Sequence, residues 1–166
     1  MRLQQDRLDC TIRAPQQGDF EKMANLAGQL GYPCTPQEIR RRLAGMQDDK
    51  QYAVYVAELR KSGIAGWIGV YVFRSVELDS FVEISGLVVD KAVRYRGIGK
   101  LLLEAAERWA LSCNCGTITV HSNVKRHDAH RFYEKNGYDW TKTQKSFRKT
   151  VLDADISRRP GLEMAN

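Results

Sequence analysis

The stretch from Phe81 to Leu103, FVEISGLVVDKAVRYRGIGKLLL, admits few architectures. Phe81 to Val89 is rich in β-branched and large apolar residues, with only Glu83 and Ser85 carrying polar side chains. Such a run predicts a strand covered on most of its surface. Asp90 to Arg96 breaks the pattern, and Gly97-Ile98-Gly99 opens the next segment. Ile98, Leu101, Leu102, Ala105, Ala106, Trp109 and Ala110 then recur at helical spacing as one wide apolar face. A strand that delivers a glycine loop to a helix N-terminus builds an anion site. The first helical N–H groups lack internal partners, the dipole presents positive charge, and glycine lets a phosphate approach the backbone.

Two common phosphate loops do not fit. A dinucleotide fingerprint needs glycine where Leu102 stands, and a P-loop needs glycine at Arg94 and Ser or Thr at Leu101. What remains is R-x-x-G-x-G, as Arg94-Tyr95-Arg96-Gly97-Ile98-Gly99. Alone, these six residues also suit a plain glycine turn. Preceded by LVVD and followed by KLL, they resemble the pyrophosphate loop of the Gcn5-related N-acetyltransferases (GNAT), which bind acetyl-CoA.

The 166 residues suit one domain with a real core, and 43% hydrophobic with 28% charged residues is ordinary for a globular chain. No run reaches the length of a membrane span, and the first ten residues are too polar for a signal peptide, so the expectation is a cytoplasmic protein without a membrane partner. Cys10, Cys34, Cys113 and Cys115 form no disulfide framework. Cys113-Asn114-Cys115 has the wrong spacing for a zinc knuckle, and His127 and His130 lack a third ligand, so no metal is expected. The net charge of +6 raises nucleic acid as a partner, but the basic residues are scattered and only the loop cluster adjoins a glycine-rich helix start. A phosphate-bearing cofactor accounts for that cluster, and no nucleic-acid partner is expected.

Taken in order, CTIRA before Pro15 reads as a short strand. Asp19 reads as the N-cap of a helix with Phe20, Met23, Leu26, Ala27 and Leu30 inward, ended by Gly31 and Pro33. Thr35-Pro36-Gln37-Glu38 is a capping box opening a second helix. Gln51 to Leu59 and Ile64 to Phe73 read as an antiparallel hairpin. Gly116 to His121, following the helix after the glycine loop, makes a βαβ crossover parallel to Phe81 to Val89. Thr143 to Val151 reads as a closing strand and 152–166 as a poorly ordered tail. Asn123 to Tyr138, NVKRHDAHRFYEKNGY, predicts a helix with Ala129, Phe132 and Tyr133 inward and Gly137 as its stop. This stretch resembles the family's second cofactor motif, and over about sixteen residues it is similar to the aminoalkylphosphonate N-acetyltransferases. The family resemblance runs over roughly Thr11 to Val151, so the expected layout is a single N-acetyltransferase domain over 1–151.

The resemblance implies an α/β fold, a mixed and mostly antiparallel sheet of six or seven strands with helices on both faces. It also implies roles. Arg94, Tyr95, Arg96, Gly97, Ile98, Gly99 and Lys100 would hold the pyrophosphate of acetyl-CoA through amides and positive charge. Leu87, Val88 and Val89 would run beside the pantetheine arm, their N–H groups meeting the acetyl carbonyl. Gly86 suits the bulge that splays the two parallel strands, and equally suits a close-packing glycine. Asn123 would bind the pantetheine arm or simply end a strand. Tyr133 matches the phenol that protonates the departing thiolate, although aromatics on a helix face are more often core.

Glu83 stands in an otherwise apolar strand, where an unpaired carboxylate is costly. It is the candidate base for an ammonium proton, directly or through water; a solvent-facing or Arg-paired carboxylate is the plainer explanation. Ser85 shares its face. The expected activity is acetyl transfer from acetyl-CoA to a primary amine by direct attack, small molecules being favoured. The alternatives are a non-catalytic acyl-CoA sensor and a protein N-terminal or lysine acetyltransferase. The acceptor has no motif of its own, though the basic balance favours one bearing phosphate, phosphonate or carboxylate. Pairing into a homodimer stays open.

Overall fold

The computed structural model describes residues 9–151, in two compact units that divide after Asn123. In the first unit five strands lie in sequence order: β1 (Cys10–Arg13), β2 (Tyr52–Leu59), β3 (Gly63–Phe73), β4 (Phe81–Val89) and β5 (Ile118–Val120). Neighbours are antiparallel except β4 and β5, which are parallel. Among the described residues three α-helices complete it: α1 (Phe20–Leu30), α2 (Pro36–Ala44) and α3 (Ile98–Ser112).

α1 and α2 cover one face of the sheet. Met23, Ala24, Leu26 and Ile39 pack there with Val56, Ile64 and Val88, and the Trp67 indole donates to the Met23 carbonyl at 3.2 Å. α3 covers the other face through Ile98, Leu102, Leu103, Ala105, Ala106 and Ala110, and each large side chain so buried stabilises by about 1.5–3 kcal/mol. The approach is close enough that a Cβ on Gly66 would stand 3.3 Å from Leu102 Cδ1. The crossover from β4 through α3 to β5 is the predicted one.

The helix ends follow the sequence with one correction. Gly31 ends α1 at φ 102°, and the Thr35–Glu38 capping box opens α2. Asp19 stands at the N-cap of α1 but its side chain does not cap it. Its carboxylate, almost fully buried, takes both Arg13 Nη1 at 2.7 Å and Nη2 at 3.0 Å, while Arg13 Nε donates to Glu58 at 2.7 Å. A bidentate guanidinium outcompetes a helix amide for that carboxylate.

The second unit carries α4 (His127–Lys135), with Asp128 in its first turn and Gly137 stopping it at φ 85°. Thr143 to Val151 does not form the predicted strand, so the described sheet has five strands rather than six or seven. That segment is exposed throughout, and its only apolar side chains, Phe147 and Val151, stand four residues apart, so it lacks the two-residue alternation that gives a strand a buried face. The tail expected over 152–166 lies outside the described residues.

Candidate active site

β4 pairs with β3 along its length but with β5 only over Val82–Ile84. From there to Val89 the edge facing β5 has no strand partner among the described residues. Which groups line this edge follows from alternation. Val82 N–H donates to the Thr117 carbonyl at 3.0 Å on the β5 side, whereas Asp90 N–H donates to Ala65 at 2.7 Å on the β3 side. A bulge at Ser85–Gly86, opposite the Gly69–Val70 step, reconciles the two. Before the bulge Val82 and Ile84 turn their N–H groups toward β5; after it Leu87 and Val89 do. Within the expected run, therefore, the Val88 amide faces β3, and its buried side chain belongs to the core. Arg94 Nε donates to the Val89 carbonyl at 3.1 Å and closes the end of the edge. Gly86 also packs tightly: a Cβ there would stand 3.0 Å from the Trp67 ring, so both explanations of this glycine hold.

The loop leaving β4 is tied down by α1. Lys22 pairs with Asp90, holding its carboxyl below the usual carboxylate range, and Gln29 Oε1 accepts from Lys91 N–H at 3.0 Å. Asp90 Oδ1 in turn accepts from Ala92 N–H at 3.0 Å. The chain then turns through left-handed conformations at Tyr95 (φ 63°) and Gly97 (φ 86°). No side chain caps α3 and its first turn holds no acidic residue. Arg94, Tyr95, Arg96, Gly97 and Lys100 are exposed, Gly99 is half-buried, and Ile98 anchors the turn in the core at 1% exposure. Lys100 lies 3.9 Å from Glu104. An uncapped, cationic helix start beside an open strand edge fits the pyrophosphate and pantetheine arm of acetyl-CoA.

Glu83 lies on the face shared with Trp67, Gly69 and Tyr71, its side chain 15% exposed. No arginine pairs with it among the described residues. Tyr71, directly opposite on β3, donates a hydrogen bond from its hydroxyl to the carboxylate; burial first and this hydrogen bond second push the phenol up to about 12. His121 Nδ1 lies 3.4 Å from Glu83 Oε1 and is itself 68% exposed. Thr119 sits beside Glu83 in the parallel register, with a buried hydroxyl that has no partner. Ser85 is on the same face; a Cβ on Gly69 would stand 2.8 Å from its Oγ, so that glycine leaves the room Ser85 occupies. Asn123 is exposed, three residues beyond β5.

In the second unit Tyr133 is half-buried, its ring 5.3 Å from Phe132 and 5.6 Å from Tyr138. Burial pushes its phenol up to about 12, partly opposed by Arg126. Sequence reasoning singled out Glu83 but missed Tyr71, Thr119 and His121. No local signal marks them, because their proximity to Glu83 is a property of strand register.

Residues 20–138 match the model of the acetyltransferase (GNAT) family. An uncharacterised N-acetyltransferase, YhdJ of Bacillus subtilis, is 31% identical over 112 residues, which is 67% of this chain and 77% of that protein. The aminoalkylphosphonate N-acetyltransferase of Salmonella typhimurium is 35% identical over 85 residues, 51% of this chain and 55% of that protein, so the match spans about half of that relative. Among solved structures, the aminoglycoside N-acetyltransferase AAC(6')-Iy in complex with CoA superposes with a TM-score of 0.74 at 18% identity, covering 84% of this chain and 94% of that one. The fold, the glycine loop and the family match agree: this chain belongs to the GNAT acetyltransferases, enzymes that use acetyl-CoA.

Proposed function

We propose that this protein transfers the acetyl group of acetyl-CoA to the primary amine of a small molecule, by direct attack while both substrates are bound. The observation that carries this reading is the open edge of β4, lined by Leu87 and Val89 and leading into the uncapped start of α3. We read both units as parts of one N-acetyltransferase domain, because the family match runs continuously across Asn123.

The bound thioester supplies the activated acyl group. The chain's own residues bind, orient and move protons. Amides of the Arg94 to Lys100 loop hold the pyrophosphate, with Arg94, Arg96 and Lys100 adding charge. Val88 keeps β4 in place from the core side, while the Leu87 and Val89 N–H groups are the donors available to a carbonyl oxygen gaining charge. Asn123 is assigned to the pantetheine arm on its motif position. Glu83, with Ser85 beside it, takes a proton from the acceptor ammonium.

Tyr133 is assigned the thiolate's proton on the FYEK-x-GY motif. Its phenol keeps its proton throughout the neutral range, as a donor must. The same desolvation that raises a phenol also raises a thiol, so the two need not be far apart in the bound state.

A panel of amines tests the reading: 2-aminoethylphosphonate, spermidine, kanamycin and a peptide with a free amino terminus, each scored by release of the coenzyme A thiol. The aminoalkylphosphonate is included because a relative carries that name. Release with a small amine is expected; release with the peptide alone would replace the small-molecule reading.

A further inference from the structure

Resting on the reading of Glu83 as the base, we propose that His121 is the exit through which Glu83 returns its proton to solvent, with Tyr71 holding the carboxylate in place. The need for an exit follows from the balance of the reaction. The acceptor nitrogen enters as an ammonium with three protons while a C–N bond forms and the C–S bond breaks. The amide keeps one proton, the coenzyme A thiol takes one, and the third must reach water in every turnover.

Glu83 is poorly placed to release that proton by itself. Its side chain is 15% exposed, whereas His121 Nδ1 stands 3.4 Å from Glu83 Oε1 on an imidazole that is 68% exposed. An imidazole can take a proton at one nitrogen and lose one from the other, which makes it suited to shuttling. The other groups facing Glu83 in this unit do not compete. Tyr71 from β3 keeps its proton, held by burial and by the carboxylate itself, and stacks on Tyr52 from β2 at 5.9 Å. Thr119 from β5 contributes a hydroxyl that does not titrate in this range. That hydroxyl is buried without a partner next to Glu83, which marks a place for a bridging water or the acceptor nitrogen. His121 thus acts through Glu83 as a positioning and proton-exit residue.

The test compares the parent, His121→Ala, His121→Gln and Glu83→Gln with the panel amine that turns over fastest, in weak buffer and with added imidazole. Acetyl-CoA affinity is followed by calorimetry. Both His121 variants are expected to bind acetyl-CoA as the parent does and to lose about ten- to a hundred-fold in kcat. Imidazole should restore much of the rate in His121→Ala and none in Glu83→Gln. Parent-like turnover of His121→Ala in weak buffer while Glu83→Gln is slow overturns the exit and leaves Glu83 as the base. A slow His121→Ala that imidazole does not rescue also overturns it. Parent-like turnover of Glu83→Gln, or no turnover with any amine, removes the reading on which the proposal rests and the proposal with it.

Discussion

Replacing Gly66 with alanine tests the packing that holds β4 in register with β3. A Cβ at this position would stand 2.6 Å from the Val88 carbonyl oxygen and 3.3 Å from both Val89 Cα and Leu102 Cδ1. An ordinary close C···O approach is about 3.3 Å, so the first contact is short by roughly 0.7 Å. The obstructing oxygen is backbone within a hydrogen-bonded ladder and cannot swing aside as a side-chain end would. β4 must move away near Val88, straining the Asp90–Ala65 hydrogen bond of 2.7 Å one step further on. Overpacking costs about 1–3 kcal/mol and a weakened backbone hydrogen bond about 1 kcal/mol, giving about 3 kcal/mol in all. At about 2–4 °C per kcal/mol for a chain of this size, the Tm should fall by about 6–12 °C. Urea unfolding gives the free energy directly. Gly28→Ala is the matched control: nothing lies within 4 Å of its Cβ, and alanine in the α1 interior should stabilise by up to about 1 kcal/mol. A Gly66→Ala protein within 0.5 kcal/mol of the parent, a margin typical of neutral surface changes, would refute the close approach.

Gly97→Val should weaken acetyl-CoA binding in calorimetry: its Cβ meets nothing within 4 Å, but valine strains the left-handed turn at φ 86° by about 1–3 kcal/mol and obstructs the phosphate's approach, a cost the folded protein can carry. Tyr133→Phe should lower kcat by about a hundred- to ten-thousand-fold with acetyl-CoA affinity nearly unchanged, as measured by steady-state kinetics beside calorimetry. Asp19→Asn should cost about 2 kcal/mol at neutral pH by removing the charge that Arg13 grips. The hydrogen bond from Arg13 holds the Asp19 carboxyl below its ordinary value, so the parent's advantage is complete above the unfolded-state pKa. It should disappear as pH falls through the lowered folded-state value, where urea midpoints of parent and variant should converge.

The local elements and the cofactor loop are written in the chain's own residue pattern. Nine apolar-rich residues ending at Val89, a glycine pair and a 3.6-residue apolar period are local properties, and local sterics and capping decide them. That is why β4 and the start of α3 fall where the pattern puts them, and why the Thr35–Glu38 box and Gly31 mark helix ends. Asp19 shows the limit: its N-cap position was readable, but the claim of Arg13 on its carboxylate depends on a strand brought alongside by the fold. Thr143 to Val151 shows it again, since a short segment becomes a strand only where a sheet edge and a buried face receive it. The surroundings of Glu83 come from the packing of distant strands. Tyr71 is 12 residues before it and His121 is 38 after it, and nothing in either segment refers to the other. Pairing with β3 and β5 brings them together, and a one-residue bulge decides whether Val88 or its neighbours Leu87 and Val89 face the open edge. A strand's pattern states which side chains are apolar; only its register with two neighbours fixes which amides are left free.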